Sequence, residues 1–130
     1  QIHPYYISMK KAITLFMKMD ADMVVMTTPD LDNYYLKRSY VRKNIEYVYV
    51  PHGMASQILT IHKGGCDHFD TAFCAGQHHI DEMREMEEMY GTRKKNLVPV
   101  GYGLLDDLIA AYAQGPRTAH CPDSAFLAEG

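Results

Sequence analysis

Short runs of continuous apolar residues alternate along this chain with longer stretches whose apolar positions recur every three or four residues. Met9, Ala12, Ile13, Phe16 and Met17 have the helical spacing, with Ser8 before them as an N-cap. Residues 23–26 are a strand-length apolar run that stops at Thr27-Thr28-Pro29-Asp30. The polar and aromatic segment 31–44 predicts a short helix exposing Lys37, Arg38, Arg42 and Lys43. Residues 45–50 predict a second strand, ended by Pro51-His52-Gly53, and residues 54–65 a short helix closing on Gly64-Gly65. Residues 71–75 read as a third strand, with Gly76 at its end.

The clearest helix pattern covers 78–90. Ile80, Met83, Met86, Met89 and Tyr90 form an apolar stripe, acids fall in the first turn, and Gly91 follows as a C-cap. Residues 96–101 predict a fourth strand, in which Pro99 favours an edge, and 102–113 a last amphipathic helix. Apolar strands separated by helices are the pattern of βαβ units, so the fold class is α/β: a Rossmann-like parallel sheet flanked by helices on both faces. Residues 1–113 make up this domain. Residues 114–130 hold turn formers without periodicity and read as a linker or the start of a second domain, so the chain itself reads as a fragment.

Composition narrows the classes. A chain of 130 residues with 47% apolar and 22% charged content is sized for one globular domain. A net charge of -3 gives no electrostatic reason to bind nucleic acid. No apolar run reaches the roughly 20 residues of a membrane span. Cys66, Cys74 and Cys121 are too few for a disulfide framework, which points to a reducing, cytoplasmic setting.

Ligands of open α/β sheets lie beyond the carboxyl ends of the strands. Here those ends carry Thr28, His52-Gly53, Gly76-Gln77-His78-His79 and Gly101-Tyr102-Gly103, which are small residues, backbone N–H groups and imidazoles suited to a phosphate or a sugar. Tight βα turns want the same glycines. Neither a dinucleotide fingerprint nor a P-loop is present. His52, mounted between Pro51 and Gly53, is the candidate general base, against the plainer reading of a turn histidine bonded to a loop. His62, Cys66 and His68 lack a recognised zinc spacing, so no metal is expected. Cys74 reads as a buried thiol.

From His52 to Leu108 the order of motifs resembles the CDP-glycerol glycerophosphotransferase family of teichoic-acid polymerases, in the acceptor-side N-terminal domain of their GT-B glycosyltransferase-like fold. The matching residues are His52-Gly53, Phe69-Asp70 through Gly76, and Gly101-Tyr102-Gly103 with Asp106. The resemblance implies transfer of glycerol phosphate from CDP-glycerol to a poly(glycerol phosphate) or lipid-linked acceptor hydroxyl, with His52 as base. It implies substrate contacts at Gly53, Lys63, Thr28, Gly76, Gln77, Gly101 and Tyr102. It further implies no cofactor besides the donor substrate, a nucleotide held mainly by a second, C-terminal domain, and a cytoplasmic enzyme peripheral to the inner face of a cell membrane. Without that second domain the fragment alone is expected to be inactive. The chain departs from the family pattern in delaying its lysine to Lys63 and in having Gly103 where proline is usual. Two alternatives stand beside this reading: a nucleotide-sugar GT-B glycosyltransferase or epimerase-like domain, and a non-catalytic α/β binding domain.

Overall fold

The structure, a computed structural model, describes residues 2–115. Its elements are α1 (Met9–Met17), β1 (Met23–Met26), β2 (Glu46–Tyr49), α2 (Gln57–Thr60), β3 (Thr71–Cys74), α3 (Gln77–Tyr90), β4 (Asn96–Pro99) and α4 (Gly103–Ala113). The four strands form one parallel sheet in the order β1-β2-β3-β4, an α/β arrangement with flanking helices. Pro99 lies on the edge strand, where its missing N–H costs no ladder bond.

The sheet register divides the side chains between two unlike faces. Val24, Met26, Tyr47, Tyr49 and Ala72 point one way and join Leu31, Ile61, Cys66, Phe69 and Met83, which come from all three connections, in a single core. Strand order never reverses, and right-handed crossovers taken in one direction fall on one side of a sheet. On the opposite face Val48 and Thr71 are buried at the centre, but Met23 and Val25 are 52% and 58% exposed. The helical cover is therefore concentrated on one face. α4 buries no residue, and its Leu104, Leu108, Ile109 and Tyr112 are exposed.

Local chemistry moved several boundaries. The helix expected over 31–44 does not form, because Asp30 and Asp32 take left-handed backbone (φ 70° and 68°) that a right-handed helix cannot include. Nor is Arg38 a free surface charge there: it lies 4.4 Å over the Tyr47 ring and pairs with Asp70 at 3.0 Å. The helix expected over 54–65 shrinks to the single turn of α2, followed by tight turns through residue 68. Ser8 precedes α1 without a side-chain capping bond.

α3 begins at Gln77, which puts Asp81 and Glu82 beyond its first turn, contrary to the expected acidic start. Its buried stripe is His79, Met83 and Glu87, while Met89 and Tyr90 of the expected stripe are exposed. Glu87 is tolerated inside because it accepts from the Lys95 N–H at 2.8 Å and pairs with Arg84 at 2.6 Å. Gly91 ends the helix in left-handed backbone (φ 63°), as its glycine suggests. Of the expected tail at 114–130, residues 116–130, Cys121 among them, lie outside the described residues.

Candidate active site

Beyond the carboxyl ends of β1 and β2, the loop from Val50 to Ser56 leaves the sheet and is tied down by the start of α3. Val50 N–H first extends the ladder to the Met26 carbonyl at 2.8 Å. The His78 Nε2 then sits 3.0 Å from the Met54 carbonyl, and the His79 Nε2 2.9 Å from the Ala55 carbonyl. His79 is wholly buried, and its Nδ1 accepts the Ala75 N–H at 3.1 Å. The proton must therefore sit on Nε2, which donates to Ala55. Glu82 completes the clamp by accepting the Gln57 N–H at 2.6 Å, at the start of α2. Burial works to raise the Glu82 carboxyl, but hydrogen bonds from Ser56, Gln57 and Ile58 outweigh it and hold the group below the usual carboxylate range. The His-His pair expected to open a helix does so, and both rings anchor the neighbouring loop.

His52 stands on that clamped loop, exposed, at a cavity of about 170 Å³ that it lines with Pro29, Tyr49, Gly53, Gln57 and Thr60. Burial pushes the Tyr49 phenol up to about 12, so it stays a neutral hydroxyl near pH 7. Gln57 is buried, with its carboxamide 3.2 Å from His79 Nε2. An imidazole, a phenol, a threonine and a carboxamide around one small cavity can bind a hydroxyl-bearing ligand and take a proton from it.

The other expected contacts disperse. Thr28 lines an adjoining crevice with Pro29, Asp30, Tyr34 and Tyr35, so Pro29 is a wall common to both spaces. Lys63 Nζ lies 4.5 Å over the Tyr90 ring, near the end of α3, and is absent from the lining of the His52 cavity. Gly76 caps α3, where a Cβ would stand 3.0 Å from the His78 ring. The Gln77 side chain donates to Asp81 at 2.8 Å on the surface. Gly101 (φ 73°) and Tyr102 form the turn between β4 and α4, at the sheet edge and outside the cavity lining.

One arrangement escaped the sequence reading. Asp30 Oδ1 lies 2.7 Å from His62 Nε2, joining the residue four past the end of β1 to the loop after α2. Asn33 Nδ2 donates to the same oxygen at 3.2 Å and to the Gly64 carbonyl at 2.9 Å, and the Asp30 N–H donates to the Gly65 carbonyl at 2.7 Å. The available signal was the aspartate closing Thr27-Thr28-Pro29-Asp30 at a strand end. Its partner, 32 positions later, had no motif to identify it.

The His62, Cys66 and His68 set does not converge. His62 turns to Asp30, the Cys66 thiol is buried and pushed up to about 12 by that burial, and His68 lines a separate groove with Arg38 and Asp70. Among the described residues no three His, Cys, Asp or Glu side chains are grouped to hold a metal ion. No helix among them is long and apolar enough to cross a membrane. Comparison with protein-family models, curated proteins and solved structures finds no match to this chain.

Proposed function

We propose that this chain is the acceptor-side domain of a transferase that moves glycerol phosphate from CDP-glycerol to the hydroxyl end of a poly(glycerol phosphate) or lipid-linked acceptor. The observation that carries the reading is His52 on a clamped loop at the carboxyl edge of a parallel sheet, lining a small cavity with Tyr49, Gln57 and Thr60. At about 170 Å³ the cavity is smaller than the roughly 300–1,000 Å³ of drug-sized sites, which suits a polyol terminus better than a nucleotide. In this reading His52 accepts the proton of the acceptor hydroxyl as its oxygen attacks the donor phosphorus. The phosphorus–oxygen bond to CMP breaks, and CMP leaves with the electron pair.

Charge supports a donor held elsewhere. The His52 cavity is lined by no arginine or lysine, and Arg38, Arg42, Arg84 and Arg93, the arginines among the described residues, all pair with carboxylates. A diphosphate donor needs cations of its own, which the resemblance assigns to a second domain. Peripheral attachment to a membrane would rest on other parts of the protein.

The test is transfer of radiolabelled CDP-glycerol to a poly(glycerol phosphate) primer by the full-length protein. His52→Ala should lower the rate about 10²–10⁴-fold, the usual contribution of a positioned general base, while circular dichroism is unchanged. Near-normal transfer by that variant would remove His52 from the chemistry. Calorimetric preference for UDP- or GDP-sugars over CDP-glycerol would move the protein to the sugar transferases. Binding of neither donors nor primer would make it a non-catalytic domain.

A further inference from the structure

We propose that the crevice beside the His52 cavity is a sugar subsite, which takes a neutral, ring-sized unit of the acceptor adjoining the unit whose hydroxyl faces His52. Its place in an acceptor rests on the transfer reading above, whereas its fitness for a sugar rests on the crevice alone. Three observations support it.

The first is the chemistry of the walls. The crevice of about 200 Å³ presents mainly apolar surface, with Pro29, Leu36, Tyr34 and Tyr35 in its lining. Apart from the two phenols, its polar side chains are Thr28 and Asp30. Tyr34 and Tyr35 are 61% and 73% exposed, so their rings are open to a ligand rather than packed in the core. A pyranose is amphipathic in a matching way. Its C–H bonds lie favourably against aromatic and aliphatic surface, and the hydroxyls at its rim need a few fixed polar partners.

The second is that Asp30 is held ready. Asn33 Nδ2 and His62 Nε2 both meet its Oδ1, at 3.2 and 2.7 Å, and its N–H donates to the Gly65 carbonyl at 2.7 Å. Its backbone is left-handed (φ 70°) although it is not glycine, a conformation that persists where surrounding contacts impose it. Among the described residues no hydrogen bond or ion pair of this carboxylate ends on Oδ2. A ligand hydroxyl can therefore donate to a fixed, charged oxygen without having to order it first.

The third is charge and position. Neither the crevice nor the His52 cavity is lined by a lysine or arginine, and His62, which pairs with Asp30, is absent from both linings. A phosphodiester in the crevice would meet the Asp30 carboxylate with no cation to offset it, whereas a neutral sugar would not. Pro29 is a wall of both spaces, and each falls short of the roughly 300 Å³ at which drug-sized sites begin. An acceptor crossing Pro29 would thus set one unit in each. This favours an acceptor with a sugar near its reacting end over a poly(glycerol phosphate) chain, in which every unit is charged.

Two measurements on the full-length protein keep the subsite and the transfer reading apart. In the first, saturation-transfer NMR without donor probes the methyl glycosides of glucose, galactose, mannose and N-acetylglucosamine at tens of millimolar. At least one should bind through its ring C–H protons. Tyr34→Ala and Tyr35→Ala should each weaken that binding about tenfold, with native dichroism. Asp30→Asn, which keeps the shape and removes the charge, should weaken it about as much. Poly(glycerol phosphate) should give no signal that depends on the tyrosines. In the second, CDP-glycerol is supplied and the glycoside that binds is the acceptor. Tyr35→Ala should then raise its KM about tenfold with kcat within threefold. Glycoside binding without any turnover of CDP-glycerol would sink the transfer reading and leave the subsite standing. Binding by none of the four glycosides, binding that survives both tyrosine changes, or a tyrosine-dependent signal from poly(glycerol phosphate) overturns the subsite.

Discussion

The two ends of the sheet use the same kinds of side chain differently. At the amino ends of the strands, Asp70 accepts from Arg38 and the Tyr47 N–H and pairs with Arg93, while Arg38 also donates to the carbonyls of Ile45 and His68. Arg38, Asp70 and Arg93 line an open groove of about 440 Å³, larger than the His52 cavity, yet their charges are already spent on one another. At the carboxyl ends the structural bonds are made by His78, His79 and Glu82, His62 pairs with Asp30, and His52 is left at the rim of a small cavity. On the proposed reading, volume misidentifies the reactive end. At one end the guanidinium groups are paired with Asp70, with an exposed His68 beside them in the groove; at the other an exposed His52 lines a small cavity without a charged neighbour in its lining.

That contrast is sharpest if each end fails in its own way. The largest effect should be the loss of rate described for His52→Ala, with the urea midpoint unmoved. Asp70→Ala should do the reverse, since it strands two guanidinium groups and a backbone N–H. It should cost about 1–3 kcal/mol in urea unfolding, while transfer per folded molecule stays within about twofold of wild type. Loss of transfer without loss of stability would show the groove to be the working end.

Acid should find the same weak point. Burial alone would raise the Asp70 carboxyl, but bonds from Arg93, the Tyr47 backbone and Arg38 outweigh it and leave the group lowered. A lowered carboxylate adds stability above its unfolded value of about 3.9, and that stability is lost as pH falls through the folded value. The urea midpoint of wild type should thus drop below about pH 4, and that of Asp70→Asn should drop less. Alkali acts with the opposite sign. Burial pushes Cys66 up to about 12, so its contribution is complete below the unfolded thiol value near 8.5 and fades as pH rises toward 12. Cys66 should accordingly react with a disulfide reagent at pH 8 at least tenfold more slowly than in urea. The smallest effect is expected at Gly91→Ala, where left-handed backbone should cost about 1 kcal/mol and alter neither end.

The regular elements were legible because their causes are local. All four strands are short apolar runs, and the α3 pattern is bounded by glycines at Gly76 and Gly91. The position of His52 followed from the rule for parallel sheets, since a residue after a strand must lie at the carboxyl edge. What stayed hidden was made by pairing across distance. Nothing near Asp30 in sequence announces His62, Glu87 looks like a surface acid until Lys95 and Arg84 are seen around it, and Arg38 looks like a solvated charge until Tyr47 and Asp70 are beneath it. The missing helix at 31–44 has the same origin: left-handed backbone at Asp30 and Asp32 is bound up with contacts to Gly65 and Leu36 that composition does not report.

The strictly sequential sheet also bears on how the molecule comes into being. Each strand pairs only with the strand before and the strand after it in the chain, so no partner has to be awaited from a distant part of the sequence. Loop closure in each unit spans only the connection between consecutive strands, so no pairing needs a closure longer than one crossover, although each parallel pairing is itself slower to form than a helical contact. β1 and β2 can zip together while β3 is still to be placed, and α3 then fastens the His52 loop as its unit docks. The chain can thus assemble in the order of its synthesis, with its proposed reactive edge secured only when the third unit closes.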